Sequence, residues 1–231
     1  MGETLADVGA GTGLLTLGAV ERVGPDGTVL AIDVSADALE ELRSHARAPN
    51  ISYLIGSASL LPLLDTSVDA VLTRSVLIYV TEKAEAAQEF HRVARAGGRI
   101  SLFEPINSRN LRLSQAIDFS PLGDLGDRLR TWNEAFYANR DDPMIDFDET
   151  DLERFFLDAG FVDVRLELGA DEHEVQGDRF LTQVGAPGRP TLLQRWRDEF
   201  EPEDVDRLEA FLRNRNIPVR YPYVFLTASK P

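Results

Sequence analysis

Seven residues, Asp7-Val8-Gly9-Ala10-Gly11-Thr12-Gly13, constrain the fold of this chain more than any others. They follow a short apolar strand pattern, Thr4–Val8, and lead directly into a helical pattern, Leu14–Val23. Glycine tolerates the tight turn that such a junction needs, and its bare backbone lets a ligand lie against amides at a helix N-terminus. Spacing narrows the reading. The dinucleotide fingerprint wants its third glycine at position 14, which is Leu14, whereas the third glycine here is Gly13. Asp33 ends the next strand pattern about 20 residues later, where a carboxylate can accept two hydrogen bonds from a ribose diol. The structural alternative is a plain turn, with Asp33 capping the helix that follows.

Around this turn, short apolar runs alternate with helical patterns at the spacing of βαβ units, which predicts a parallel sheet. Gly24-Pro25-Asp26-Gly27 breaks the first helix, and Thr28–Ile32 is the second strand. Ser35 is placed to cap a helix whose Leu39, Leu42 and Ala46 share one face. Ile51–Ile55 and Val68–Thr73 read as the third and fourth strands. Lys83–Ala94 reads as an amphipathic helix stopped by Gly97-Gly98, and Arg99–Phe103 as the fifth strand. Beyond Glu104-Pro105 the rhythm changes. Residues 107–146 carry Trp132, Phe136 and Tyr137 but no clean strand, and these aromatics either line a pocket or anchor the segment. Thr150 is placed to cap a helix carrying Leu152, Phe155, Phe156 and Ala159; Val162–Leu168 alternates as a strand. Residues 190–214 hold two helix patterns, the second starting at Pro202, and Tyr223–Ser229 is a final strand. The expected fold class is α/β, a doubly wound, mostly parallel sheet in a single domain of residues 1–231. Insertions at about 107–146 and 170–220 are expected to form a substrate lid or a dimer contact, and the helix pair at 190–214 suits a homodimer contact and intramolecular packing equally.

Composition excludes several classes. The formal net charge is −15, from 39 acidic and 24 basic residues, and no Lys/Arg block interrupts it. Such a field repels phosphate backbones, so a small molecule rather than a nucleic acid is the expected partner. The chain has no cysteine, which excludes disulfides, thiolate nucleophiles and Cys-ligated metals. No His and carboxylate pattern has metal-ligand spacing, so no metal is expected. No apolar run approaches the roughly 20 residues needed to span a bilayer, and the N-terminal residues have no signal-peptide pattern. A cytoplasmic protein without a membrane partner is the expectation.

The Asp7–Gly13 turn resembles motif I of the class I S-adenosylmethionine-dependent methyltransferases, and Asp33 resembles their ribose-binding acid. Gly56-Ser57-Ala58-Ser59-Leu60-Leu61-Pro62 is similar to their adenine-side loop, Asp65–Val71 to the approach to strand four, and Arg92–Arg99 to the turn into strand five. The pair Val162–Leu168 and Tyr223–Ser229 matches the closing strands of the family's Rossmann-like, seven-stranded sheet. The resemblance implies S-adenosylmethionine as cofactor, S-adenosylhomocysteine as product and methyl transfer to a small organic acceptor at O, N or C. It implies that Gly9, Gly11 and Gly13 line the methionine and ribose portion, that Asp7 shapes the turn, and that Asp33 holds the ribose hydroxyls. Val34 would lie against the adenine, Ser57 and Ala58 at its edge, and Arg74 and Ser75 near the methionine end. Two departures stand out. The family usually has an acidic residue at the Ser57 position, and its members carry upstream helix that covers the cofactor, whereas strand one here starts three residues in. A partner subunit or a longer chain is the expected source of that lid. The absence of cysteine sets the chain apart from arsenite-methylating relatives, which bind arsenic through thiolates.

Methyl transfer from a sulfonium is an in-line displacement that depends chiefly on alignment, with a general base helping where the acceptor is a hydroxyl. Tyr79, Glu104 and Asn107 are the candidates for that base, because ligands in open α/β sheets bind beyond the carboxyl ends of strands. Each has a structural alternative: packing for Tyr79, a turn cap for Glu104. His45, His91 and His173 read as structural or solvated residues. The rival functions are a non-catalytic S-adenosylmethionine-binding module and a nicotinamide-dependent oxidoreductase.

Overall fold

A strand as short as Thr4–Val8 satisfies its backbone polar groups only by pairing, and a helical crossover between two such strands sets them parallel. The computed structural model describes residues 2–186 and 188–231. Met1 and Pro187, which belong to the expected domain and to its second insertion, lie outside the described residues. In chain order the elements are β1 Thr4–Val8, α1 Leu14–Val23, β2 Thr28–Asp33, α2 Ala36–His45, β3 Ile51–Ile55, β4 Val68–Arg74, α3 Lys83–Val93 and β5 Ala94–Pro105. There follow α4 Leu113–Ala116, α5 Asp124–Ala138, α6 Glu149–Asp158, β6 Val162–Gln176, α7 Gly177–Thr182, α8 Leu192–Glu199, α9 Pro202–Leu212 and β7 Asn216–Ser229.

The sheet has seven strands in the order β3-β2-β1-β4-β5-β7-β6. It is parallel from β3 to β5, and β7 runs antiparallel to β5. Alternate residues of each strand face opposite layers. Ala6, Val8 and Val71 meet Ala86 and Phe90 of α3 and Leu152 and Phe156 of α6 on one face. On the other face Leu5 and Ala70 meet Ala19 of α1, and Ala31 and Ile51 meet Leu39 and Leu42 of α2. The doubly wound sheet is therefore present, and its central register, Val8 opposite both Ile32 and Thr73, brings three strand ends level.

Contacts divide the chain into two compact units. One comprises the chain up to Ser108 together with Arg140–Gly169 and Tyr223–Pro231; the other comprises Arg109–Asn139 and Ala170–Pro222. The two expected insertions thus join into one body with a core of its own, and residues 140–146 belong with the sheet instead. That second core gathers Leu125 and Leu129 of α5, Trp196 of α8, and Val205, Leu208 and Leu212 of α9. Trp132 stacks on Phe136 at 6.1 Å and meets Phe200 edge-on at 6.2 Å, so these aromatics anchor the segment within its own unit.

Several boundaries differ from the sequence reading. β5 starts at Ala94, not Arg99, because Ala94 pairs with Val68 and the glycines form a bulge before Arg99 pairs with Ala70. β6 and β7 extend to Gln176 and back to Asn216. The cap of α6 is Asp148 and not Thr150. Its carboxylate accepts from the amides of Thr150 (2.9 Å) and Asp151 (3.1 Å), and the Asp151 carboxylate accepts from the Asp148 amide (3.2 Å). Such a reciprocal cap satisfies otherwise orphaned N–H groups. Asp148→Ala is expected to lower stability by about 1 kcal/mol, read as a lower urea midpoint with an unchanged slope.

Candidate active site

The glycine turn is fixed from below by β2. The amides of Gly9 and Ala10 both donate to the Ile32 carbonyl, at 2.8 and 2.9 Å. One residue on, the Asp33 carboxylate bridges two segments: Oδ2 accepts from the Gly11 amide and Oδ1 from the Ser35 amide, each at 2.8 Å. Ser35 caps α2 as expected, its Oγ accepting from the Ala38 amide at 3.2 Å. Each Asp33 oxygen keeps acceptor capacity beyond its backbone bond.

Asp7 supports this turn from the interior. It is buried and accepts a 2.5 Å hydrogen bond from the Thr16 hydroxyl. Burial pushes its carboxyl up to about 6, with the nearby Asp33 charge adding to the effect and Thr16 opposing it. Gly13 backs onto α2, where an added Cβ would meet Leu42 Cδ1 at 2.2 Å. His45, at the end of α2, lies with Nε2 3.1 Å from the Thr12 carbonyl, so it braces the same turn.

The loop after β3 is held beside Asp33 by the Gly56 amide, which donates to the Asp33 carbonyl at 3.1 Å. Ser57 Oγ lies 3.2 Å from Ser59 Oγ. Ala58 packs into the core, so it offers this edge its backbone and not its methyl group. Apolar side chains stand in the open here, among them Val34 at 72% exposure and Leu60 at 76%. Exposed aliphatic groups flanking a carboxylate suit a ligand with a flat apolar part and a polar sugar.

At the end of β4 the chain turns sharply. Ser75 adopts a positive φ of 55° and its amide donates to the Phe103 carbonyl at 2.8 Å. The Arg74 guanidinium lies over the Phe103 ring, 5.1 Å from its centroid. Val76 lies against the glycine turn, since a Cβ on Gly9 would sit 2.2 Å from Val76 Cγ2. Tyr79 closes a single 3-10 turn, Leu77–Tyr79, and is half exposed. Asn107 begins another such turn, Asn107–Arg109.

Glu104, named above as a base, is placed differently. It is fully buried, and its carboxylate accepts from three successive amides: Val76 (2.8 Å) and Leu77 (3.0 Å) at Oε1, Ile78 (3.3 Å) at Oε2. Burial pushes its carboxyl up to about 7, opposed by those three amides and by Lys83. A group so enclosed supports the rim of a site and does not reach an acceptor. Lys83 is buried as well. Its Nζ donates to the carbonyls of Val80 (2.8 Å) and Pro143 (3.0 Å) and to Asp146 Oδ1 (2.6 Å), and lies 4.8 Å from the Phe147 ring centroid. Sequence reading misses this pair, because a separation of 63 residues leaves no local signal. His91 packs edge-on against Phe161 at 5.0 Å, its ring held below the usual range by burial; His173 is exposed, 3.5 Å from Asp171. Among the described residues no three His, Asp or Glu side chains form a metal-holding group, and no helix is long and apolar enough to cross a membrane.

Comparison with known proteins bears on this geometry. A family profile described as a methyltransferase domain matches residues 6–102. The chain is 31% identical over 166 residues to the ubiquinone/menaquinone biosynthesis C-methyltransferase of Hahella chejuensis, an alignment covering 69% of this chain and 67% of that protein. It is also 31% identical over 110 residues to an arsenite methyltransferase of Halobacterium salinarum, covering 46% of this chain but only 28% of the relative. Among solved structures, phosphoethanolamine N-methyltransferase 2 of Haemonchus contortus in complex with S-adenosyl-L-methionine superposes with a TM-score of 0.59 at 15% identity. That match covers 100% of this chain and 49% of the other, and it is a likeness of fold alone.

Proposed function

The chain belongs to the class I S-adenosylmethionine-dependent methyltransferases, and we propose that it methylates a small organic acceptor at the carboxyl ends of β1, β2 and β4. S-adenosylmethionine supplies a methyl group on a sulfonium, which an acceptor displaces in line to leave S-adenosylhomocysteine. The observation that carries the placement is Asp33. Its two oxygens hold the Gly11 and Ser35 amides, which fixes the carboxylate at the mouth of the glycine turn with lone pairs left for a ribose diol.

The residues present fit this cofactor. Gly11 offers an open face, since a Cβ there would meet nothing within 4 Å. Val34 and Leu60 are the exposed apolar surface that an adenine would cover, and the backbone of Ser57 and Ala58 borders the same edge. Gly9 and Gly13 give the turn its shape, Asp7 anchors it from within, and Ser75 and Arg74 border the methionine end. On the acceptor side Tyr79 and Asn107 are the groups within this reading that can orient a nucleophile or take its proton. A small acceptor suits a chain of charge −15, which repels polyanions.

Calorimetric titration with S-adenosylhomocysteine, with NADH as the control ligand, tests the placement. Binding of the former in the micromolar range or tighter is expected, with none of the latter. NADH binding in its place would return the turn to the dinucleotide class.

A further inference from the structure

We infer that Glu104 is a positioning residue whose buried carboxylate holds the turn after β4, and that Val76 transmits this hold to the cofactor-binding glycine turn. The inference rests on the reading of Gly9–Gly13 as the cofactor turn. Three consecutive amides converge on the one carboxylate, which defines the path of residues 76–78. Val76 is the first of them. Its backbone is held by Glu104 Oε1 at 2.8 Å, and its Cγ2 methyl fills the space beside Gly9 that any larger residue would claim. The same turn carries Tyr79 out to the half-exposed rim. One buried charge therefore sets both the floor of the cofactor turn and the edge of the acceptor side.

Ionisation is central to that hold. A carboxylate accepts at both oxygens, whereas the neutral acid carries a proton on one of them. With Oε1 committed to two amides, the proton falls on Oε2 and faces the Ile78 N–H, so the third bond is lost and the other two weaken. Among the described residues the groups facing Glu104 are few. The charged one is Lys83 of α3, whose ammonium is tied to Asp146 of the segment before α6, and the paired strand β7 sets the uncharged Val224 opposite Glu104. With its carboxyl pushed up to about 7, Glu104 changes charge in the neutral range, and the ionised form above it is the one that grips the turn. Cofactor affinity accordingly rises with pH through that value.

The test uses the full chain, wild type and Glu104→Gln, with S-adenosylhomocysteine as probe. The variant's amide keeps one oxygen for Val76 and Leu77 but turns an NH2 group on Ile78, so it mimics the protonated state. Calorimetry between pH 6 and 8.5 is expected to show wild-type affinity rising by about tenfold, the scale of a charge-assisted bond. Glu104→Gln is expected to lose the rise above pH 6.5 and to keep only the limb of Asp7, which titrates near 6. Hydrogen exchange on the unliganded proteins gives a second readout. Protection factors of the Val76, Leu77 and Ile78 amides are expected to fall about tenfold in the variant, and in wild type on going to pH 6. A wild-type affinity flat across this range, or unchanged protection in the variant, overturns the inference. If the variant does not fold, the wild-type exchange data decide, because the Val76, Leu77 and Ile78 amides donate to Glu104 and not to Asp7. Failure of S-adenosylhomocysteine to bind at any pH would instead overturn the cofactor reading, while the exchange data would still decide whether Glu104 holds the turn.

Discussion

Asp33→Ala is expected to weaken S-adenosylhomocysteine binding by about 1.5–3 kcal/mol, the usual worth of hydrogen bonds to a charged group. In affinity this is a loss of about 10- to 150-fold. The ribose diol would lose an ionised acceptor, and the Gly11 and Ser35 amides would lose theirs at the same time. Both amides lie near the surface and can turn to water, so the fold is expected to persist with little change in far-UV circular dichroism. Asp33→Asn separates the two contributions. An amide keeps one accepting oxygen but presents an NH2 group to one of the two backbone donors, so it should fall between wild type and alanine. Calorimetry on the three proteins is the measurement, and an Asp33→Ala affinity equal to wild type would remove Asp33 from the site.

How much of this is legible in the sequence depends on which interactions are local. The glycine turn, Asp33 and the Ser35 cap are readable, because each rests on residues within a few positions or on a fixed strand-turn-helix junction. The parallel order of β1 to β5 follows from the alternation of apolar runs and helical patterns. In the outer part of β7, Pro218 and Pro222 mask the alternation of the buried Ile217 and Val219, and the outer part of β6 is not readable at all. Asp171, Glu172, His173 and Glu174 are exposed strand residues, and a strand without a buried face lacks the alternation that betrays one. The α6 cap lies two residues before the expected one because Asp148 and Thr150 are both cap formers, and only the reciprocal bond from Asp151 decides between them. Glu104 is visible as a carboxylate at a strand end, but its burial and its three amides come from β4's turn, 26 to 28 residues away. Charge type is written in the sequence; its environment is written in the packing.

The glycine turn provides the strongest contrast. Gly9→Ala is expected to destabilise the protein by about 2–5 kcal/mol, from overpacking of about 1–3 kcal/mol and left-handed backbone strain of about 1–2 kcal/mol. Gly9 has a φ of 73°, and its Cβ would sit 2.2 Å from Val76 Cγ2. Valine has no long arm to swing aside, and the Val76 backbone is tied to Glu104, so the two turns must separate. Against a typical total stability of about 5–15 kcal/mol this is a large fraction. Val76→Ala in the same chain should return the steric part and leave the strain. Gly11→Ala is the opposite case. Its φ of 51° carries similar strain, but a Cβ there meets nothing within 4 Å of protein. That variant should lose only about 1–2 kcal/mol of stability and yet lose S-adenosylhomocysteine binding, because the methyl group occupies the open face of the turn. Urea titration and calorimetry on the two variants measure both quantities. If Gly9→Ala matched wild type in stability, the turn would not rest on Val76. If Gly11→Ala kept full affinity, the ligand would not lie on the face that Gly11 leaves bare.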